Sequence, residues 1–136
     1  MHVRAVYLPA DLLESAASPL TTECRRLERG VLVSVRGEAD LTNAARLESE
    51  VRRHLVPGEP LVLDLSLLTF MDSNGLRALE NLDAVVHAQG GTLHLAGVHG
   101  IAARLLQVTG VWSRLDIHSG VAGAVRRALG RDAAPA

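Results

Sequence analysis

The sequence contains no lysine and few aromatic residues or cysteines. All 14 of its basic side chains are arginine, and its 136 residues include three aromatic side chains and one cysteine, Cys24. Without lysine, the chain has neither a Schiff-base nucleophile nor the lysine of a phosphate-binding P-loop. The scarcity of aromatics and the net charge of −1 argue against direct nucleic-acid binding, which needs stacking side chains or a basic surface. A single cysteine excludes an internal disulfide and is typical of a reducing, cytoplasmic compartment.

Long apolar runs are also absent. No stretch approaches the roughly 20 apolar residues that a transmembrane helix needs. Pro9, Asp11 and Glu14 interrupt the N-terminal apolar segment, which is therefore unlike a signal peptide. Hydrophobic residues nevertheless make up 48% of the chain, which is enough for the core of one domain. We therefore expect one cytoplasmic domain without a membrane span.

The hydrophobic pattern predicts an α/β fold. A short turn joins the first two predicted strands, which indicates an antiparallel hairpin. Apolar residues at spacings of three and four then predict helices, the first capped by Asp40 or Thr42, the second starting near Ser73 and the last capped by Ser119. Strands separated by helices imply parallel pairing, so we expect a mixed sheet of four or five strands with about four helices. The predicted strands are residues 22–28, 31–35, 61–65, 92–96 and 114–117.

The chain divides into three parts. Residues 21–130 form the predicted domain, and residues 131–136 read as a flexible tail. Within residues 1–20, a short strand at 3–8 and a helical turn at 11–17 are compatible with the pattern. Three interpretations stay open for this N-terminal extension: disorder, packing on the sheet edge, or pairing of two copies into a homodimer.

One segment carries a more specific signal than the rest. Residues 61–76 read as a buried strand, a short loop, and then an Asp-Ser pair at the start of a helix. The free backbone N–H groups and positive dipole end of a helix N-terminus favour an anion. A phosphate on Ser73 would bring about −1.5 to −2 charges and three acceptor oxygens to that position.

The same segment resembles the signature of the STAS-domain family, the fold of anti-sigma factor antagonists. The sequence Phe-Met-Asp-Ser-Asn-Gly-Leu at residues 70–76 matches the family's run into a helix. Gly-Glu-Ala-Asp-Leu-Thr at residues 37–42 is similar to the family's Gly-Glu-Leu-Asp, with Ala39 in place of leucine. Val-Thr-Gly-Val-Trp at residues 108–112 resembles the turn before the family's last strand. The resemblance covers residues 22–129, with these landmarks in the family's order.

The resemblance implies a protein–protein switch that regulates transcription indirectly, with no enzymatic activity and no cofactor. In the family, an anti-sigma factor that is also a serine kinase phosphorylates the serine after the aspartate, here Ser73. The unphosphorylated form binds this partner, phosphorylation breaks the complex, and a serine phosphatase restores it. Asn74 departs from the family pattern, in which Ser or Thr often follows. The expected partner-binding residues are Asp40, Thr42, Asp72, Ser73, Asn74, Gly75 and Leu76.

Other functions are compatible with parts of the sequence. A STAS subunit of a transport system, or a scaffold module of a stress-signalling complex, would leave Ser73 as a simple helix cap. A serine hydrolase would need a base near Ser73, and the Gly-x-Ser-x-Gly elbow is absent. The histidines invite a metal site, but His94 and His99 lie on different predicted elements without companion ligands at metal spacing, so no metal is expected. Cys24 has no Cys-x-x-Cys partner and is expected to be inert.

Overall fold

The computed structural model describes residues 18–130. The strand expected at residues 3–8, the helical turn at 11–17 and the tail at 131–136 lie outside this range. Within it, the strands and helices follow one another in the predicted order. They are β1 (Leu20–Arg26), β2 (Val31–Ala39), α1 (Ala44–His54), β3 (Leu61–Met71), α2 (Ser73–Ala88), β4 (Leu93–Ala96), α3 (Gly100–Thr109), a 3-10 helix (Val111–Arg114), β5 (Asp116–His118) and α4 (Val121–Ala128).

The five strands form one sheet in the order β1-β2-β3-β4-β5. β1 pairs with β2 antiparallel, and the remaining pairs are parallel. Successive right-handed crossovers that advance in one direction put their helices on the same face of a sheet. This explains why α1, α2 and α3 share a face. The expected mixed sheet with an N-terminal antiparallel hairpin and about four helices is confirmed, with four α-helices among residues 18–130.

Two apolar clusters cover the two faces of the sheet. The larger one joins alternate residues of β2, β3 and β4 to the apolar sides of α1, α2 and α3. The smaller one lies on the opposite face, under α4. Side chains alternate between the two faces of the sheet along each strand. Register partners on neighbouring strands therefore point to the same face. The smaller cluster consists of Leu32, Val62, Ala96, Ala124 and Ala128.

Two strands are longer than the apolar pattern indicated. β2 continues to Ala39 and β3 to Met71, since their parallel pairing resumes after two register shifts and ends with Ala39 opposite Met71. The sequence signal was lost because the polar residues Ser66 and Thr69, which are exposed, interrupt the apolar run. This extension carries the chain from the middle of the sheet to the start of α2.

Two predicted helix caps are wrong. Asn43, and not Asp40 or Thr42, is the N-cap residue of α1, and Gly120 replaces Ser119 at the start of α4. Thr42 and Ser119 miss the cap by one residue, which is within the range over which helix ends are hard to place, and Asp40 misses it by three. No helix among residues 18–130 is long and apolar enough to cross a membrane.

Candidate functional site

The site lies where β2 and β3 end side by side. Ala39 and Met71 are register partners at the ends of these parallel strands. The backbone N–H of Asp72 donates a 3.1 Å hydrogen bond to the carbonyl oxygen of Ala39. The sequence motifs at residues 37–42 and 70–76 therefore meet at the same end of the sheet. The structure brings the loop after Ala39 next to the start of α2.

Asp72 caps helix α2. Its Oδ1 accepts hydrogen bonds from the backbone N–H of Asn74 at 2.8 Å and of Gly75 at 3.2 Å. These are two of the N–H groups that a helix leaves without an intrahelical partner at its start. Ser73 is the first helical residue and not the cap. Its side chain is exposed, so its hydroxyl is not needed to satisfy the helix.

Gly75 and Leu76 are buried, so they support the site and do not form part of its surface. A Cβ atom on Gly75 would lie 2.6 Å from Met71 Cγ and 2.8 Å from the carbonyl oxygen of Ala39. A glycine is thus required for α2 to start this close to the ends of β2 and β3. Leu76 is buried in the larger apolar cluster. Neither residue offers a side chain to a partner, in contrast to Ser73 and the half-buried Asn74.

Asp40 organises the loop between β2 and α1. Its Oδ1 accepts hydrogen bonds from the backbone N–H of Thr42, at 2.9 Å, and from the Thr42 hydroxyl. Its Oδ2 accepts a hydrogen bond from the Ser18 hydroxyl. The Ser18 and Thr42 hydroxyls lower the pKa of Asp40 below its usual value, because they stabilise the carboxylate. The carboxylate is therefore engaged within the loop, while Thr42 is exposed.

Asn43 is a structural residue of the site that the sequence did not single out. Its side chain is 1% exposed. Its Oδ1 accepts from the Asp40 backbone N–H at 3.0 Å, and its Nδ2 donates to the carbonyl oxygens of Glu38 at 2.8 Å and Ser18 at 3.1 Å. A buried amide with these partners holds the loop in one conformation. The only sign of this role in the sequence is an asparagine just before a helix, and that pattern indicates an ordinary helix cap.

A groove between α1 and α2 is lined in part by Asn74, the residue after Ser73. It has a volume of about 400 Å³, and its lining includes Leu41, which is 75% exposed. Glu48 and Arg77 supply charges of opposite sign along its walls. Leu41 and Asn74 therefore line one polar, charged groove. The groove is lined by Leu41, Ala44, Ala45, Glu48, Ser49, Asn74, Arg77, Ala78 and Asn81.

The histidines considered in the sequence lie elsewhere. His99 Nε2 is 2.8 Å from the carbonyl oxygen of Ser66, and His94 Nε2 is 2.9 Å from the Thr92 hydroxyl. The structure also places Asp116 and His118 beside His94. This cluster was missed because its members come from two strands that are 22 residues apart. Only the parallel pairing of His94 with Asp116 brings them together.

The fold and the site define a small mixed α/β domain that presents a serine at a helix entrance next to an exposed loop. The family model of the STAS domain matches residues 21–124, and the chain belongs to that family. It is 27% identical over 107 residues to the anti-sigma-B factor antagonist of Bacillus subtilis (strain 168), covering 79% of this chain and 98% of the relative.

Solved structures show the same fold. An anti-sigma factor antagonist from Mycobacterium paratuberculosis has a TM-score of 0.73 at 25% identity, covering 82% of this chain and 95% of its own. The anti-sigma factor antagonist SpoIIAA in its unphosphorylated form has a TM-score of 0.68 at 17% identity, covering 81% of this chain and 97% of its own. The phosphorylated form of SpoIIAA from Bacillus has a TM-score of 0.62 at 17% identity, covering 79% of this chain and 98% of its own. At this level of identity, the two SpoIIAA structures show only that the fold is shared.

Proposed function

We propose that the chain is an anti-sigma factor antagonist controlled by phosphorylation of Ser73. In the unphosphorylated state it binds an anti-sigma factor that has serine kinase activity, and it thereby releases a sigma factor. Phosphorylation by that partner breaks the complex, and a serine phosphatase restores it. The chain acts on transcription indirectly, as a cytoplasmic binding protein without enzymatic activity. The names of its relatives from B. subtilis and M. paratuberculosis support this function.

The observation that carries the proposal is the position of the Ser73 hydroxyl. It is exposed at the first residue of α2, and the helix does not depend on it because Asp72 is the cap. A kinase can reach such a hydroxyl without unfolding the helix. Asn74 leaves Ser73 as the sole hydroxyl between Asp72 and Gly75.

The local charges favour release of the partner on phosphorylation. The N–H groups of Asn74 and Gly75 already bond to Asp72, so they are engaged when a phosphate forms on Ser73. That phosphate, with about −1.5 to −2 charges, would lie beside the Asp72 carboxylate and point outward. In an interface, it adds like-charge repulsion and a desolvation cost. A coupling of a few kcal/mol, roughly a hundredfold in affinity, is enough for a switch.

The partner surface that we propose differs from the expected one, because it leaves out buried or internally bonded residues and adds Leu41 with the neighbouring groove. We propose that Leu41, Thr42, Ser73 and Asn74 contact the anti-sigma factor, together with the groove between α1 and α2. Asp40 and Asp72 hold these residues in place through their hydrogen bonds. Gly75 and Leu76 act by positioning α2, since both are buried.

The test uses the full chain carrying Ser73→Ala as bait for proteins from the source cell. A captured kinase is then purified and incubated with wild-type chain and ATP, and the modified residue is mapped by mass spectrometry. We expect phosphate on Ser73, tight binding by Ser73→Ala, and binding by Ser73→Asp that is weaker by roughly a hundredfold.

Ser119→Asp is the matched control, because Ser119 is exposed and also lies just before a helix. This variant should bind like the wild type. Phosphate mapped to another residue, or undiminished binding of Ser73→Asp to the purified partner, would overturn the proposed switch.

A further inference from the structure

His94, Asp116 and His118 form a cluster on the face of the sheet that α4 covers. His94 of β4 and Asp116 of β5 are register partners, and His118 follows two residues after Asp116. Because side chains alternate along a strand, all three point to the same side. This cluster is separate from the Ser73 site, which lies at the far ends of β2 and β3.

The three side chains bring their ligand atoms together. Nδ1 of His94 is 3.0 Å from Oδ2 of Asp116, and Nε2 of His118 is 3.0 Å from Oδ1 of the same carboxylate. The potential ligand atoms of the three residues all lie within 4.8 Å of one another. In a tetrahedral zinc site with bonds of about 2.0–2.1 Å, neighbouring ligand atoms are about 3.3 Å apart. The cluster needs only small side-chain movements to reach that geometry.

The two imidazole nitrogens that face Asp116 are buried without a directional hydrogen bond. Nδ1 of His94 and Nε2 of His118 have no well-aligned hydrogen-bond partner among the described residues, and each lies 3.0 Å from an oxygen of the Asp116 carboxylate. The His94 residue is only 4% exposed. Buried polar atoms are normally paired, and a cation between the nitrogens and the carboxylate would satisfy both of them at once.

The surroundings of His94 suit a metal ligand. Its other nitrogen, Nε2, lies 2.9 Å from the Thr92 hydroxyl, which is the kind of second hydrogen bond that orients a metal-bound imidazole.

An ion can reach the cluster from a neighbouring cavity. His94 and Asp116 line a cavity of about 510 Å³ at the start of β4 and β5. The Nε atom of Arg127 lies 3.5 Å from Asp116 Oδ2 and is the nearby cation that a metal would displace. The Arg127 side chain is 57% exposed, so it can turn into solvent. The three side chains would fill three positions of a tetrahedral site, and the cavity would leave room for a fourth ligand.

We propose that His94, Asp116 and His118 bind one divalent transition-metal ion of the zinc type. Two imidazoles and one carboxylate are the donor set that zinc prefers over calcium or magnesium. The ion would have a structural role. It would cross-link β4 to β5, a strand of only three residues, and so secure the end of the sheet on which α4 packs.

The test is a titration of the full chain, stripped with a chelator, with zinc chloride at neutral pH. Calorimetry and native mass spectrometry should show one zinc ion per chain, and saturating zinc should raise the Tm by on the order of 10 °C. His118→Ala and Asp116→Asn should each weaken zinc binding by more than about 100-fold. Thr92→Val, which removes the hydrogen bond to His94, should weaken it by about 10- to 100-fold.

His87→Ala is the matched control. His87 is an exposed histidine on the wall of the same cavity and has an acidic neighbour, Asp83, at 3.1 Å. This variant should bind zinc like the wild type, and circular dichroism confirms that each variant is folded. The proposal fails if the wild-type protein binds clearly less than one zinc ion per chain. It also fails if zinc binding survives in folded His118→Ala and Asp116→Asn.

Discussion

The backbone N–H of Asp72 donates a hydrogen bond to the carbonyl oxygen of Ala39 across a distance of 3.1 Å. This bond joins the ends of β2 and β3 at the point where each strand leaves the sheet. It places the Asp40 loop and the first turn of α2 on one surface. The serine and the exposed leucine that we assign to partner binding both depend on this junction.

The first prediction concerns the cap of α2. Asp72→Ala should lower the free energy of unfolding by about 0.5–2 kcal/mol, because two helix N–H groups lose their acceptor. Ser73→Ala should change it by less than about 0.5 kcal/mol, since the Ser73 side chain is exposed. Urea denaturation of both variants checks this difference. An equal loss in the two variants would show that Ser73 shares the capping role.

The second prediction concerns the close approach of α2 to the sheet. Gly75→Ala should destabilise the fold by about 1–3 kcal/mol, because its Cβ would overlap Met71 Cγ and the Ala39 carbonyl oxygen. Gly123→Ala in α4 is the control, since the nearest atom to its Cβ is an Arg126 side-chain nitrogen at 3.7 Å. That change should stabilise the protein by about 0.5–1 kcal/mol. Thermal unfolding of both variants measures these changes in stability. A Gly75→Ala variant as stable as the wild type would contradict the prediction.

The third prediction concerns acid stability. The pKa of Asp40 is lowered in the folded protein by the hydroxyls of Ser18 and Thr42. The resulting stabilisation is fully present above its ordinary value of 3.8 and is lost as the pH falls through the lower, folded value. Asp40→Asn should therefore flatten the dependence of the unfolding free energy on pH between about pH 5 and pH 2.

Chemical denaturation at several pH values measures that slope. The control is Glu23→Gln, which neutralises an exposed carboxylate on β1. If Asp40→Asn and Glu23→Gln flatten the slope equally, the hydrogen bonds to Asp40 contribute nothing specific.

The fourth prediction concerns the surface beside Ser73. Leu41→Asp should weaken binding to the anti-sigma factor by at least about tenfold, or about 1.4 kcal/mol, because a charge replaces an apolar contact. The stability of the free chain should change by less than about 0.5 kcal/mol. Val108→Asp in α3 is the matched control, since Val108 is also 75% exposed. Calorimetric titration with the purified partner makes the comparison, and equal effects of the two variants would remove Leu41 from the interface.

Much of the fold could be predicted because it is encoded in local patterns. The apolar spacing along residues 44–55 and 76–86 predicts helices that bury one side, and the structure buries Leu47, Val51, Leu79 and Val86 accordingly. The short apolar run beginning at Leu61 predicts a strand covered on both faces, as observed. Helix ends were harder to place, because several neighbouring polar residues can each accept the same N–H groups.

The sequence by itself determined the order of the elements, the mixed sheet and the serine at the entrance of α2. These follow from periodicity and from one short motif, and neither needs knowledge of distant residues. Only the tertiary structure decided that Gly75 packs against Ala39 at the end of β2 and that Asn43 ties the adjoining loop to Ser18. It alone brought His94 to Asp116 and His118. Each of these depends on which distant segments the pairing of the strands places side by side, and no local pattern in the sequence specifies that pairing.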